Sequence, residues 1–265
     1  MEGKVLYPKT VREDTVCNIC QKTVSRLSWD HVPPQGSHIP VNVKTIHYPE
    51  GEEGSIFRPA TSANGLKFRT LCKDCNSMLG GKYDKELNRF LNQIQGILKS
   101  GLVFPSRITI QAKPTLVIKA VLGHILAAKT GFCDSEVDKA IRDYIIDDSA
   151  VLSDKLKVYY WYYPYNNVII TTDKMPYDME SGQKAFFSVL KYFPLAFMTM
   201  WESTSNVEAM VELTKYNHND YDYTVALPIS FNELPGDFPE STKYCKIALV
   251  PSDHTDLMSF PHKTT

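Results

Sequence analysis

The stretch CNICQKTVSRLSWDHVPP at residues 17–34, answered further along by LCKDCN at 71–76, decides how this chain is read. It holds two Cys-x-x-Cys pairs, Cys17/Cys20 and Cys72/Cys75. A Cys-x-x-Cys turn sets two sulfurs on one side of a tetrahedral metal, and a second pair completes the set that zinc prefers. Between the inner cysteines lie 51 residues, more than in a compact zinc ribbon, so the chain between them must loop out. Four protein ligands leave zinc no open position, so a structural ion is expected. The bland alternative is four unrelated thiols. Cys133 and Cys245 stand alone and read as buried thiols.

Asp30-His31 follows the first pair and Asn76 directly follows the last cysteine. Closing a zinc site over the four cysteines would draw residues 17–31 and 72–76 into one neighbourhood. Phosphodiester hydrolysis needs a base to deprotonate water, and positive charge on the phosphate and the departing oxygen. A histidine suits the first task, here His31. A hard divalent cation held by oxygen suits the second, with Asp30 and Asn76 supplying a carboxylate and an amide oxygen.

The order C-x-x-C, D-H-V-P-P, L-C-x-x-C-N resembles the HNH endonuclease superfamily. More narrowly, it looks like the zinc-containing branch with the phage junction-resolving endonucleases and many bacterial HNH proteins. The resemblance covers residues 17–84, about a quarter of the chain. It implies a treble-clef-like ββα-metal finger, with His31 as general base and Asp30 and Asn76 as ligands of a catalytic Mg2+ or Mn2+. It further implies DNA cleavage to a 5′ phosphate and 3′ hydroxyl, and by analogy a role as a phage-defence effector. The middle asparagine of the family motif falls on Asn64, with Asn42 as the second candidate. The stretch before the second knuckle is longer than in minimal members, and Gly80-Gly81 is expected to interrupt the helix start. On a continuous helix, Asp84 would follow Asn76 by two turns on the same face. It reads as a further metal ligand or, more plainly, as a solvated carboxylate.

Charge supports a polyanionic partner for the front of the chain. Residues 1–113 hold 16 Lys/Arg against 10 Asp/Glu, a net +6, whereas 114–265 carry 13 against 20, a net -7. Lys67, Arg69, Lys73 and Lys82 flank the second knuckle and are the candidate phosphate contacts, with an ordinary solvated face as the alternative. His38 and His47 could also reach phosphate. DNA is the expected partner, with RNA open as a second substrate. The C-terminal part is expected to serve regulation, a protein partner or homo-oligomerisation. No run approaches 18 apolar residues, and MEGKVLYPKTVRED lacks an apolar leader core, so neither a membrane span nor a secretory signal is expected and the cytoplasm follows by default.

The fold class expected is α+β: an HNH finger followed by a mixed helix and antiparallel-strand part. A boundary at 103–115 gives units 1–105 and 106–265. Strands are expected at 23–29, 66–71, 107–113, 186–190, 195–201 and 221–227. The segments 157–163 and 168–172 should pair across the turn Pro164-Tyr-Asn-Asn167. Residues 32–65 read as one long loop. Helices are expected from about 76 to 100, from Pro114, from an Asp134 N-cap, and over 207–216. His124 reads as a core histidine, and the aromatic run 159–165 as core on one strand face. Two other functions compete with the nuclease. One is a non-catalytic zinc-stapled module binding nucleic acid or protein, and the other is a C-terminal ligand sensor with the finger as effector.

Overall fold

A computed structural model describes residues 5–36, 42–47, 56–101, 103, 105–131, 133–178, 186–202, 209–239, 247–250 and 256–261. The front of the chain supplies β1 (Val5–Leu6), β2 (Ser28–His31), β3 (Val43–His47), β4 (Ile56–Phe57), β5 (Ala60–Ser62) and β6 (Lys67–Leu71). Helix α1 (Lys73–Met78) runs through a π-helical segment, Leu79–Tyr83, into α2 (Asp84–Lys99). Then come β7 (Arg107–Ala112), α3 (Pro114–Ala127) and α4 (Glu136–Ile146). The remainder is β8 (Leu156–Tyr162), β9 (Val168–Asp178), β10 (Phe186–Tyr192), β11 (Leu195–Trp201), β12 (Val211–Glu212), a 3-10 turn (Leu213–Tyr216), β13 (Val225–Ser230), β14 (Ile247–Val250) and β15 (Leu257–Pro261). The class is α+β. Among the described residues, no helix is long and apolar enough to cross a membrane.

One nine-stranded sheet dominates, ordered β12-β8-β11-β10-β9-β15-β3-β5, with β14 on β9. The expected 157–163/168–172 hairpin does not form, because β10 and β11 stand between β8 and β9. The hairpin is instead β10–β11, closing at Tyr192↔Leu195. The expected long loop at 32–65 contains β3 and β5. In β3, Val43, Thr45 and His47 alternate inward, which suits a strand laid on β15. The helix expected over 207–216 is a short edge strand followed by the 3-10 turn, because Val211 and Glu212 pair with Tyr160 and Tyr159. The aromatic run packs on both faces of its strand. Tyr160 joins the main core, while Tyr159, Trp161 and Tyr163 join a second cluster with Leu234 and Phe238.

Local signals hold for the helices. Pro114 opens α3, and Gly101 takes φ 67° just after α2, a value glycine tolerates best. The cap of α4 is Ser135, in a capping box with Asp138; Asp134 pairs with Arg142 and Lys139 instead. Helix α3 is buried from Val117 to Ala127 and is the central post of the core. The same hydrophobic cluster runs from Cys17, Phe68 and Leu87 to Val121, Tyr160 and Leu227, so it crosses residue 105. Gly123 lets α3 sit close against the π-helical segment: a Cβ there would meet the Leu79 side chain at 2.5 Å.

Candidate metal centre and active site

The four cysteines meet. Their Sγ atoms all lie within 4.8 Å of one another, and among the described residues this is the one His/Cys/Asp/Glu group placed to hold a metal ion. The knuckles explain the convergence. Cys17 N–H donates to the Lys22 carbonyl across the first turn, where Gln21 takes φ 57°. In the second, the Cys75 N–H donates to Cys72 Sγ at 3.4 Å. Cys20 Sγ and Cys72 Sγ are 3.7 Å apart. A tetrahedron with metal–sulfur bonds of ~2.3 Å has edges of about 3.8 Å, so the spacing fits zinc. Protons do not distribute evenly over sulfurs so close. The hydrogen bond with Cys75 pulls the Cys17 thiol down to about 4, and the same bond pushes the Cys75 thiol up.

Strands β2 and β6 pair antiparallel, placing Asp30 opposite Phe68 and His31 opposite Lys67. Consecutive strand residues face opposite ways, so Asp30 and His31 separate. His31 is half-buried and lines a cleft of about 450 Å³ with Trp29 and Lys67. Its Nε2 lies 3.1 Å from the Asn64 carbonyl oxygen. A carbonyl only accepts, so the contact selects the Nε2–H tautomer and leaves the Nδ1 lone pair for a proton. Burial, and then the Lys67 charge, holds the imidazole pKa below its ordinary 6.5. Asn64 and Gly65 take φ 63° and 81°, values that asparagine and glycine accept, and this turn aims the carbonyl. Asn64 therefore reaches His31 through its backbone, with its side chain exposed.

Asp30 turns inward. Its Oδ2 lies 3.6 Å from His124 Nδ1, an ion-pair distance and too long for a hydrogen bond. On the other side of the ring, His124 Nε2 stands 2.9 Å from Asp84 Oδ1. Burial pushes Asp30 up to about 6, with His124 pulling it back and Asp84 adding to the rise. For His124 burial alone would lower the pKa, but Asp84 and then Asp30 outweigh it and hold the value at about 9. His124 is thus fully buried, as a core histidine would be, and it is also the cation between two carboxylates.

The helix after the second knuckle widens at Gly80-Gly81 rather than breaking. The Asp84 N–H reaches the Leu79 carbonyl, an i→i+5 bond. A π-type turn inserts one residue, which rotates everything beyond it by about 100°. Eight regular steps would leave Asp84 about 80° round the axis from Asn76, and the inserted residue cuts that to about 20°, so Asp84 lies on the Asn76 side and is buried, correcting the expected solvated carboxylate. Asn76 donates its amide nitrogen to the Trp29 carbonyl at 2.8 Å and to Ser28 Oγ at 3.1 Å, tying α1 to β2 beside Asp30.

Among the basic candidates, Lys67 lines the His31 cleft and Lys73 is exposed on α1. Arg69 donates to the Leu27 carbonyl at 3.0 Å. Lys82 pairs with Asp148 and lies over the Tyr221 ring. His47 is buried in β3, Asn42 is exposed ahead of it, and Cys133 is buried as expected; His38 and Cys245 lie outside the described residues.

Side chains from the two knuckle segments also cap the end of α3. Asn18 Nδ2 donates to the carbonyls of Leu126 and Lys129, both at 2.7 Å, and Thr70 Oγ1 donates to Ala127 at 2.6 Å. Trp29, His124, Asn18 and Thr70 are the residues that motif reading passes over. Trp29 could have been found by its i−2 relation to His31 on one strand face, and His124 by its isolation in an apolar helix.

No known protein family, no curated protein and no solved structure matches this chain.

Proposed function

We propose that the chain is a metal-dependent HNH-type endonuclease cutting DNA. In this reading Cys17, Cys20, Cys72 and Cys75 hold a structural zinc that folds residues 17–84 as a treble-clef-like ββα finger. The observation that carries it is the His31–Asn64 contact: a half-buried imidazole in a cleft, locked by a backbone carbonyl in the tautomer that leaves Nδ1 free. His31 then takes the proton from the attacking water at Nδ1. Asn76, its amide nitrogen fixed on β2, has its Oδ1 left for a cation, and Asp30 is the neighbouring carboxylate. A bound Mg2+ or Mn2+ would neutralise charge on the phosphate and the leaving oxygen. Lys67 adds positive charge at the cleft. The C-terminal part serves regulation, partner binding or self-association, and phage defence is the biological setting; both rest on analogy alone.

A non-catalytic zinc-stapled binding module draws on one observation: Asp30 faces His124 inside the core. Supercoiled plasmid incubated with Mg2+ or Mn2+, in parallel with His31→Ala protein, separates the two. The nuclease reading expects nicking that the variant lacks. Equal activity in both, or none with any metal on DNA or RNA, removes it.

A further inference from the structure

The cleft beside His31 extends well beyond the imidazole. At about 450 Å³ it falls in the size range of small-molecule sites, roughly 300–1,000 Å³, which is room for a nucleotide and far too little for a duplex. Its floor is built from two sheets: Trp29 and His31 on β2, Lys67 on β6, and Thr45, Thr61 and Ser62 on β3 and β5. Trp29 is the unusual wall. It is 48% exposed, whereas Trp161 and Trp201 are buried at 4% and 6%. Strand alternation puts it on the His31 side of β2, about 7 Å along the strand. Lys67 stands directly opposite His31 in the ladder and brings a cation to the same wall.

An aromatic face open to water beside a cation is the pairing that single-stranded nucleic acid recognises: a base stacks on the ring and the phosphate meets the charge. A base inside a duplex has both faces already stacked and cannot use Trp29 unless it leaves the helix. We propose that Trp29 is a base-stacking residue, and that this cleft receives an unpaired nucleotide of single-stranded DNA adjoining the phosphate that His31 addresses. The inference rests on the nuclease reading for the role of His31, but not for the binding itself.

The test uses the full chain without added divalent cation, so that no cleavage intervenes. Trp29 is the tryptophan that solvent reaches, so its fluorescence should be quenched saturably by a 12-mer of deoxythymidylate, and at least 5-fold less effectively by a duplex of equal length. Trp29→Leu should weaken single-strand binding, read by anisotropy of a labelled oligomer, by roughly 5- to 150-fold, the equivalent of about 1–3 kcal/mol of stacking. Trp29→Phe should restore most of that loss, which a folding defect would not do. Binding of single strand and duplex alike without quenching overturns the proposal, as does undiminished affinity in Trp29→Leu. An RNA 12-mer that binds more tightly than DNA overturns the choice of DNA. Quenching by single-stranded DNA in a protein that never cleaves leaves the cleft assigned and removes the nuclease reading. Cleavage by wild type with an unchanged KM for single strands in Trp29→Leu does the reverse.

Discussion

Replacing Asn18 by alanine should unfasten the first cysteine knuckle from α3 without touching any of the four clustered cysteines. Asn18 lies between Cys17 and Cys20, is fully buried, and gives both its amide hydrogens to the end of α3. The two acceptors are not equivalent. The Leu126 carbonyl also receives the Lys129 N–H at 3.2 Å, so it keeps a partner when Asn18 is truncated. Among the described residues, the donor to the Lys129 carbonyl is Asn18. An orphaned buried carbonyl costs about 1–3 kcal/mol and a lost bond at a carbonyl that keeps another partner costs about 1, so the sum is about 2–4 kcal/mol. Arg12 loses its contact with Asn18 Oδ1 but retains Asp14, which adds little.

Asn18→Asp sharpens the test. It conserves shape but points an acceptor-only group at two carbonyl oxygens and buries a charge, with Arg12 nearby as partial compensation. The aspartate should therefore be the worse of the two. Urea unfolding should show a lower midpoint at unchanged slope, and about 3 kcal/mol corresponds to a thermal midpoint lower by about 6–12 °C. Zinc content in native buffer should match wild type in the alanine variant. A loss below about 1 kcal/mol, or an aspartate variant as stable as the alanine one, would refute the docking argument.

Cys72→Ser should lower zinc from about one per chain to near none and loosen the segments around the four cysteines, read by elemental analysis and near-ultraviolet dichroism; full zinc content in the variant would contradict the four-sulfur site. His124→Ala removes the cation from between Asp30 and Asp84 and should cost about 3–5 kcal/mol in urea unfolding, because two buried carboxylates are left facing each other. Lys129, buried between Asp138 and Asp173, has its pKa raised: burial opposes the charge, but Asp173 and Asp138 outweigh it. Its stabilising contribution is therefore present below about pH 10.4 and lost as pH rises through the higher folded value, whereas in Lys129→Met stability should already fall as pH rises through the carboxylate range; parallel pH–stability curves for the two proteins would sink this. Asn64→Gly should keep cleavage, since the backbone alone aims at His31, while Asn64→Val, strained at positive φ, should lose at least tenfold in kcat; equal rates would show that the turn does not position the base.

What could be read in the sequence was what neighbouring residues decide. Pro114 fixes a helix start through its own ring, Gly101 ends one through its own φ, and the Cys-x-x-Cys turns bend through their own backbone bonds. Order within the sheet is decided elsewhere. The turn at 164–167 looks like a hairpin from within, yet β8 lies next to β11 because Leu195–Trp201 matches it residue for residue from Leu195↔Tyr162 to Trp201↔Leu156. Likewise β3 sits in a segment rich in turn residues, and it becomes a strand because β15, more than two hundred residues on, pairs with it.

The candidate site divides the same way. Cys17, Cys20, Cys72 and Cys75 are legible because two Cys-x-x-Cys turns are a pattern local to each pair, and the fold brings the pairs together. The burial of His124 was legible but its ion pair was not, because α3 is apolar on every side, and a helix with no polar face gives no periodic signal to say where one histidine points. Its role follows only when Asp30 and Asp84 arrive from two other elements, and Asp84 arrives only because the π turn at Leu79–Tyr83 rotates it inward. Taken with Asn18 and Thr70 on the α3 carbonyls, this means that the strand bearing Asp30-His31 is held against a helix outside the 17–84 segment by a buried ion pair as well as by hydrogen bonds. A segment cut at residue 105 would expose the Asp30 and Asp84 carboxylates without His124 and leave Asn18 and Thr70 without acceptors. The placement of Asp30 therefore depends on a helix outside residues 17–84, and a shift of α3 would reach it directly through His124.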